Sequence, residues 1–400
     1  MEAEKVKKLS NGLPTMEEIL QQLPDMQNGL EEMREVVLAN LVMLGEIPSP
    51  TFQEADRVQF LVNRFSECGL ASISTDEAGN GLAVHPGTKG DRNILLVAHT
   101  DTVFPRTVDH SMSVEKECVT GPGVADNSLG VAVLASLPTI LEHLNINLSS
   151  NLILMGATRS LGRGNLSGLR FFLSNSEMPV HCGVCVEGME LGRLSFNSIG
   201  MIRGEIQCEV PENYDWTGIA ASGAISVINE TINQICAIPL PKKPYSTIIL
   251  GSVEGGNSFN TIATEARLRF EARSDSVEIV AQIDELLNDI VAEMKYRSKA
   301  KVTLETLALR QPGGIGFRHP LVRNVRNIMQ ALDIQPHVSP SLSELSAFID
   351  HKIPAVTIGI THGERHNQED ESIQIEPIYK GLAQLIGSLM AIDGGYCDKD

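Results

Sequence analysis

Apolar positions along the chain change their spacing several times, and those changes divide it. Ile94–Ala98, Asn151–Ala157 and Val180–Val186 are apolar runs of strand length. Between them, Ser128–Leu144 has helical spacing, with Val131, Leu134, Leu137, Ile140 and Leu141 on one stripe and a kink expected at Pro138. A shorter helix falls at Gly168–Leu173. Strands apolar on both faces, alternating with helices, predict an α/β fold: a mostly parallel sheet covered by helices. The same alternation returns with helix Pro320–Leu332, strand Ala355–Gly359 and helix Pro377–Ile392. At the other end, Met16–Leu23 and Leu30–Leu44 predict a surface helix leading into a first core helix, so residues 1–43 read as a helical N-terminal extension.

Residues 200–312 follow a different pattern. Met201–Val210, Ser246–Val253, Ala266–Arg273 and Lys301–Ala308 read as strands, and Ala224–Ile235 and Val277–Met294 as helices. In Ala266–Arg273, Leu268 and Phe270 point inward while Arg267, Arg269 and Glu271 point to solvent. This predicts an antiparallel α+β domain inserted into the α/β domain of residues 1–199 and 313–400. Gln311–Gly316, with Pro312 and its glycines, forms the return.

Composition narrows the function. The 400 residues carry 32 Lys and Arg against 50 Asp and Glu, a net charge of −18. So acidic a surface repels phosphate backbones and anionic lipid, which argues against nucleic-acid and membrane partners. No apolar run reaches the roughly 18 residues of a membrane span. Met1–Ser10 is charged, unlike a signal peptide, and the seven cysteines are scattered, so a reducing cytoplasm is expected. With one Trp, broad aromatic stacking surfaces are not expected.

Chemistry-bearing residues gather at strand ends, where parallel sheets bind ligands. His99 and Asp101 follow the first strand; the imidazole can take a metal and the carboxylate can orient it, or the pair can simply close a strand end. Asp126 lies in Gly121–Ser128, just ahead of the long helix; alone, an N-cap is its simpler reading, and a carboxylate bridging two metals the alternative. Glu187 follows the third strand, and His362, Glu364 and His366 occupy a polar loop after Gly359. Carboxylates plus imidazole suit Zn²⁺, and a carboxylate-bridged pair of ions is a known hydrolase arrangement. Cys182-x-x-Cys185, beside His181, sits inside a strand, where residues three apart face opposite sides; it reads as core.

The run Leu95–Pro105, the loop Gly121–Gly130, the turn Gly162–Gly168, Val186-Glu187-Gly188, the run Gly255–Ile262 with Arg273-Ser274, and His366 occur in one order from about residue 44 to 392. Together they resemble the di-zinc exopeptidases of the aminoacylase, acetylornithine deacetylase, carboxypeptidase and tripeptidase type. The resemblance implies that His99 and Glu187 hold one zinc, that His366 holds the other, and that Asp126 bridges them with Asp101 orienting His99. It implies a substrate-binding role for Asn260 and Arg273, and a lid or homodimerisation role for the insert.

The sequence departs from that family where the chemistry is concentrated. Ser160 stands at the position of the general-base Glu and Leu161 at that of a zinc-ligand Glu, and no carboxylate lies between Thr158 and Gly168. Tyr214, followed by Asp215, replaces a lid histidine, and Glu344 and Ser346 replace Asp and Asn at a helix start. Glu190 and Glu364 are the conceivable substitutes for a lost carboxylate, though both read as solvated loop residues. Losing a positioned base costs about 10²–10⁴ in rate, and a catalytic zinc normally keeps three protein ligands. The expectation is one zinc on His99, Asp126 and Glu187, a second doubtful, and an impaired hydrolase that holds a peptide-like or N-acyl-amino-acid ligand. An active amidohydrolase with a base from elsewhere is the alternative. A purely structural partner subunit fits less well with the retained acidic and imidazole groups.

Overall fold

The computed structural model describes residues 13–210 and 223–398. The chain divides into two compact units, Met1–Asn197 with Gly314–Asp400, and Ser198–Gly313.

The larger unit is built on an eight-stranded sheet. Its four central strands, Asn151–Ala157, Asn93–His99, Cys182–Leu191 and Ala355–Gly359, are mutually parallel, and the antiparallel pairings lie toward the edges. Alternation along each strand sorts side chains onto two apolar faces. Ile94, Leu96 and Ala98 join one core with helices Leu129–His143 and Pro377–Asp393, while Leu95 and Val97 join the other with helices Ser167–Asn175 and Leu345–Asp350. Cys182 lies on the first face and Cys185 on the second, and both thiols are buried. The CxxC pair therefore cannot converge on one ion.

Several elements escape the periodicity. A hairpin, Ala71–Thr75 with Gly81–His85, extends the sheet, although its outer strand is largely exposed and shows no apolar face. Helix Ala55–Glu67 is amphipathic but buries an arginine, Arg57, on its apolar stripe beside Val58, Leu61 and Phe65. The first helix, Met16–Glu31, starts on a Thr15–Glu18 capping box and buries Ile19, Leu23, Met26 and Leu30; it packs on Pro377–Asp393 as part of the core and is no mere surface helix. Helix Leu129–His143 accepts Pro138 inside it, and the stretch Val124–His143 does meet the length and hydropathy of a membrane span, contrary to expectation. It is 89% buried among other elements of the unit, so its apolar surface has partners.

The smaller unit is a four-stranded antiparallel sheet in the order Ser246–Gly255, Glu265–Ser274, Gly200–Glu209, Lys301–Arg310, with helices Gly223–Cys236 and Val277–Ser298 over one face. Ala266, Leu268, Phe270 and Ala272 point into that core. The opposite face carries ion pairs, among them Arg203–Glu271 and Arg269–Glu205.

Candidate metal centre

His99 is the last residue of its strand and is 3% exposed. Its Nδ1 lies 2.9 Å from the Asp101 carbonyl oxygen and 3.5 Å from the Asp101 carboxylate, which leaves Nε2 directed at Asp126 Oδ1, 2.9 Å away. Asp101 is completely buried. It accepts from the Thr51 hydroxyl at 2.8 Å and from the backbone N–H groups of Ser160 and Leu161 at 3.2 and 2.8 Å. The residue expected only to orient His99 thus also pins the turn at Ser160 and Leu161.

The structure shows which residue caps the long helix. The long helix begins at Leu129, and Asp126 and Asn127 have non-helical dihedrals. The neighbouring Asn127 does the capping: its Oδ1 accepts from the N–H of Gly130 at 3.2 Å and of Gly188 at 2.9 Å, and its Nδ2 donates to the Val186 carbonyl at 2.8 Å. Asp126 is released to face the site. One of its oxygens meets His99, and the other accepts from His366 Nε2 at 2.9 Å. A carboxylate whose two oxygens each address a different imidazole has the shape required of a bridge.

Glu187 lies inside its strand, which begins at Cys182 and continues to Leu191 beyond the expected end at Val186. The extension is held by Ile360 and Thr361, whose N–H groups donate to the Glu187 and Gly188 carbonyls. The Ser343 hydroxyl donates to Glu187 Oε1 at 3.1 Å. One ligand atom each from His99, Asp126 and Glu187 lie within 4.8 Å of one another.

His366 arrives by an element the periodicity does not reveal. Gly363–Glu364 and Ser372–Gln374 form a hairpin that pairs with Cys118–Thr120, the strand leading into the Asp126 loop. Glu371 sits at the join, fully buried: its carboxylate accepts from Ala125 N–H at 3.2 Å and Asn367 N–H at 3.3 Å, and its carbonyl from Gly121 N–H at 2.9 Å. His362 and Glu364 are exposed on this hairpin. Glu190 is exposed too, with Arg193 3.5 Å from its carboxylate.

Arg57 is the other residue that sequence reasoning missed. Its guanidinium is fully buried and donates to the carbonyls of Gly45, Ile47 and Thr100 and to Ser128 Oγ. It thereby joins the segment before the Asp126 helix to the strand end that carries His99. An Arg on an apolar helical stripe was the available signal.

The electrostatics follow from this burial. Burial opposes charge on His99, but its bonds to Asp101 and Asp126 more than offset it and hold the imidazole well above its ordinary pKa. Burial likewise pushes Asp126 upward, and the two histidines more than reverse that push, holding it well below the usual carboxylate range. Burial raises Glu187 and Glu371. In the first ion position one imidazole and two carboxylates form a donor set that suits Zn²⁺ or a similar divalent ion, and these residues fit such a group. Beyond that set, Asp126 also meets His366 through its other oxygen. Ser160 Oγ is buried without a partner.

The remaining expected site residues lie in the smaller unit. Asn260 is exposed in the loop ahead of strand Glu265–Ser274, and its Oδ1 accepts from Ser258 Oγ at 3.2 Å. Arg273 is at the far end of that strand, paired with Glu271 at 2.6 Å. Eight residue steps from Glu265 to Arg273 are about 26 Å of extended chain, so one chain does not bring Asn260 and Arg273 together. Tyr214 lies outside the described residues.

Comparison with known proteins agrees with this architecture. The chain is 23% identical over 315 residues to acetylornithine deacetylase of Proteus mirabilis, covering 74% of this chain and 79% of that one. Among solved structures it resembles a tripeptidase of Staphylococcus aureus (TM-score 0.72, 19% identity, 90% of this chain and 99% of the other). It also resembles a Bacillus subtilis protein described as a dinuclear metal-binding peptidase (TM-score 0.62, 14% identity, 90% and 98%). The profile of peptidase family M20/M25/M40 matches residues 95–391, a span that holds His99, Asp126, Glu187 and His366, and the chain belongs to that family.

Proposed function

We propose that this protein is a one-ion member of its family that binds a peptide-like or N-acyl-amino-acid ligand and hydrolyses it poorly. The observation that carries the reading is the turn after strand Asn151–Ala157. Its backbone is tied to Asp101 through the N–H groups of Ser160 and Leu161, yet its side chains are a hydroxyl and a hydrocarbon. Neither takes a proton from water near neutral pH, and Leu161 cannot donate to an ion. His99, Asp126 and Glu187 would hold the ion, which when bound acts as a Lewis acid toward a carbonyl oxygen. Asp101 would keep the His99 ring in place, and His366 would stand across Asp126 as a hydrogen-bonding group.

We read the insert as a homodimerisation element. Support comes from the opposite ends of one strand to which Asn260 and Arg273 belong, since two chains could supply what one cannot. The seven unpaired thiols support a reducing, cytoplasmic setting. The test is metal content by mass spectrometry on purified protein, with turnover on a panel of N-acetyl amino acids, dipeptides and tripeptides and molar mass by light scattering. One tight divalent ion per chain with trace turnover is expected. Two tight ions with brisk turnover would refute the impaired reading and favour an active amidohydrolase.

A further inference from the structure

Most of the buried acids around the centre are engaged by donors. Asp101 takes Thr51, Ser160 and Leu161; Glu54 takes the N–H groups of Phe52 and Arg159; Glu371 takes those of Ala125 and Asn367. Glu344 is different. It precedes helix Leu345–Asp350, it is 2% exposed, and its Oε1 is buried with no hydrogen-bond partner, the single carboxylate oxygen in that condition among the described residues. Its neighbour in the chain, Ser343, donates to Glu187, so the turn that carries Glu344 lies against the triad. A buried carboxylate oxygen that no donor reaches is unfavourable unless a cation offsets it.

We propose that Glu344 belongs to the ion site: from just outside the triad it faces the ion held by His99, Asp126 and Glu187 and adds negative charge to their set. This rests on the ion-site reading above and adds a residue to it. An outer group of this kind, although it is not one of the three ligands, typically changes metal affinity 10–100-fold when removed.

The proposal makes two readouts move in opposite directions. In metal-free protein, Glu344→Gln removes an unpartnered charge at nearly constant volume, so the melting temperature should hold or rise. The Zn²⁺ affinity, measured by chelator competition, should fall about 10–100-fold. Glu285→Gln, an exposed acid on helix Val277–Ser298 of the smaller unit, is the control and should change neither. Zn²⁺ affinity within twofold of wild type in Glu344→Gln would overturn the proposal. So would a Glu344→Gln protein that loses metal-free stability or does not fold, because Glu344 would then be a structural residue. Wild-type protein that binds no Zn²⁺ would instead overturn the ion-site reading itself, so the two failures are distinguishable.

Discussion

Placing carboxylates at Ser160 and Leu161 is the most direct test of the impaired reading. The double substitution Ser160→Glu with Leu161→Glu places one acid at each position while the main chain stays held by Asp101 at 3.2 and 2.8 Å. A positioned general base is worth about 10²–10⁴ in rate, which corresponds to about 2.7–5.4 kcal/mol of barrier. The second acid gives Asp126 and His366 a third donor, and metal stoichiometry should rise from one toward two. Ser160 is only 4% exposed, so the larger acid there overpacks and desolvates, at a cost of about 1–3 kcal/mol in metal-free protein. Zn²⁺ should restore that loss, since a ligand present at 1,000 times its Kd stabilises by about 4 kcal/mol. The assays are metal content, thermal melts with and without Zn²⁺, and kcat/KM on N-acetyl amino acids for wild type, both single variants and the double. The gain in turnover should exceed the product of the two single gains, because base and second ion act on the same water. A folded double variant that carries two ions and turns over no faster than wild type would refute the reasoning.

Three further outcomes are expected. Gly188→Ala should weaken Zn²⁺ binding about tenfold, read by chelator competition, because a Cβ there collides with the Ala125 carbonyl oxygen and shifts the Asp126 loop. Arg57→Met should lower unfolding free energy by about 3 kcal/mol in urea titration: three carbonyls and a hydroxyl lose their donor, partly offset by no longer burying a cation. Burial alone would raise the Glu271 pKa, but Arg203 and Arg273 reverse this and hold it below its ordinary 4.5, so its stabilising contribution is present above that value and lost as pH falls through the folded one. Glu271→Gln should therefore be less stable than wild type at pH 7, with the gap closing as pH falls below the carboxylate's ordinary range in parallel unfolding measurements.

The sequence alone determined which segments are buried on two faces and which on one, since that follows from periods of two and 3.6 along the chain. The central parallel strands, the long helices and the α+β insert were legible for this reason. The strand end at His99 was legible in the same way, whereas the strand of Glu187 runs on to Leu191, past the end its apolar run predicts. Tertiary structure alone decided the rest. Whether Asp126 caps a helix or faces a site depended on Asn127 reaching the Glu187 strand, some 60 residues further on in sequence, a contact no local pattern encodes. The pairing of Ser372–Gln374 with Cys118–Thr120, which carries His366 to Asp126, joins strands of three residues each, too short to leave a period. Nothing local shows that Arg57 and Glu344 lose their water; the closed fold does that, surrounding the first with carbonyls and leaving an oxygen of the second without a partner.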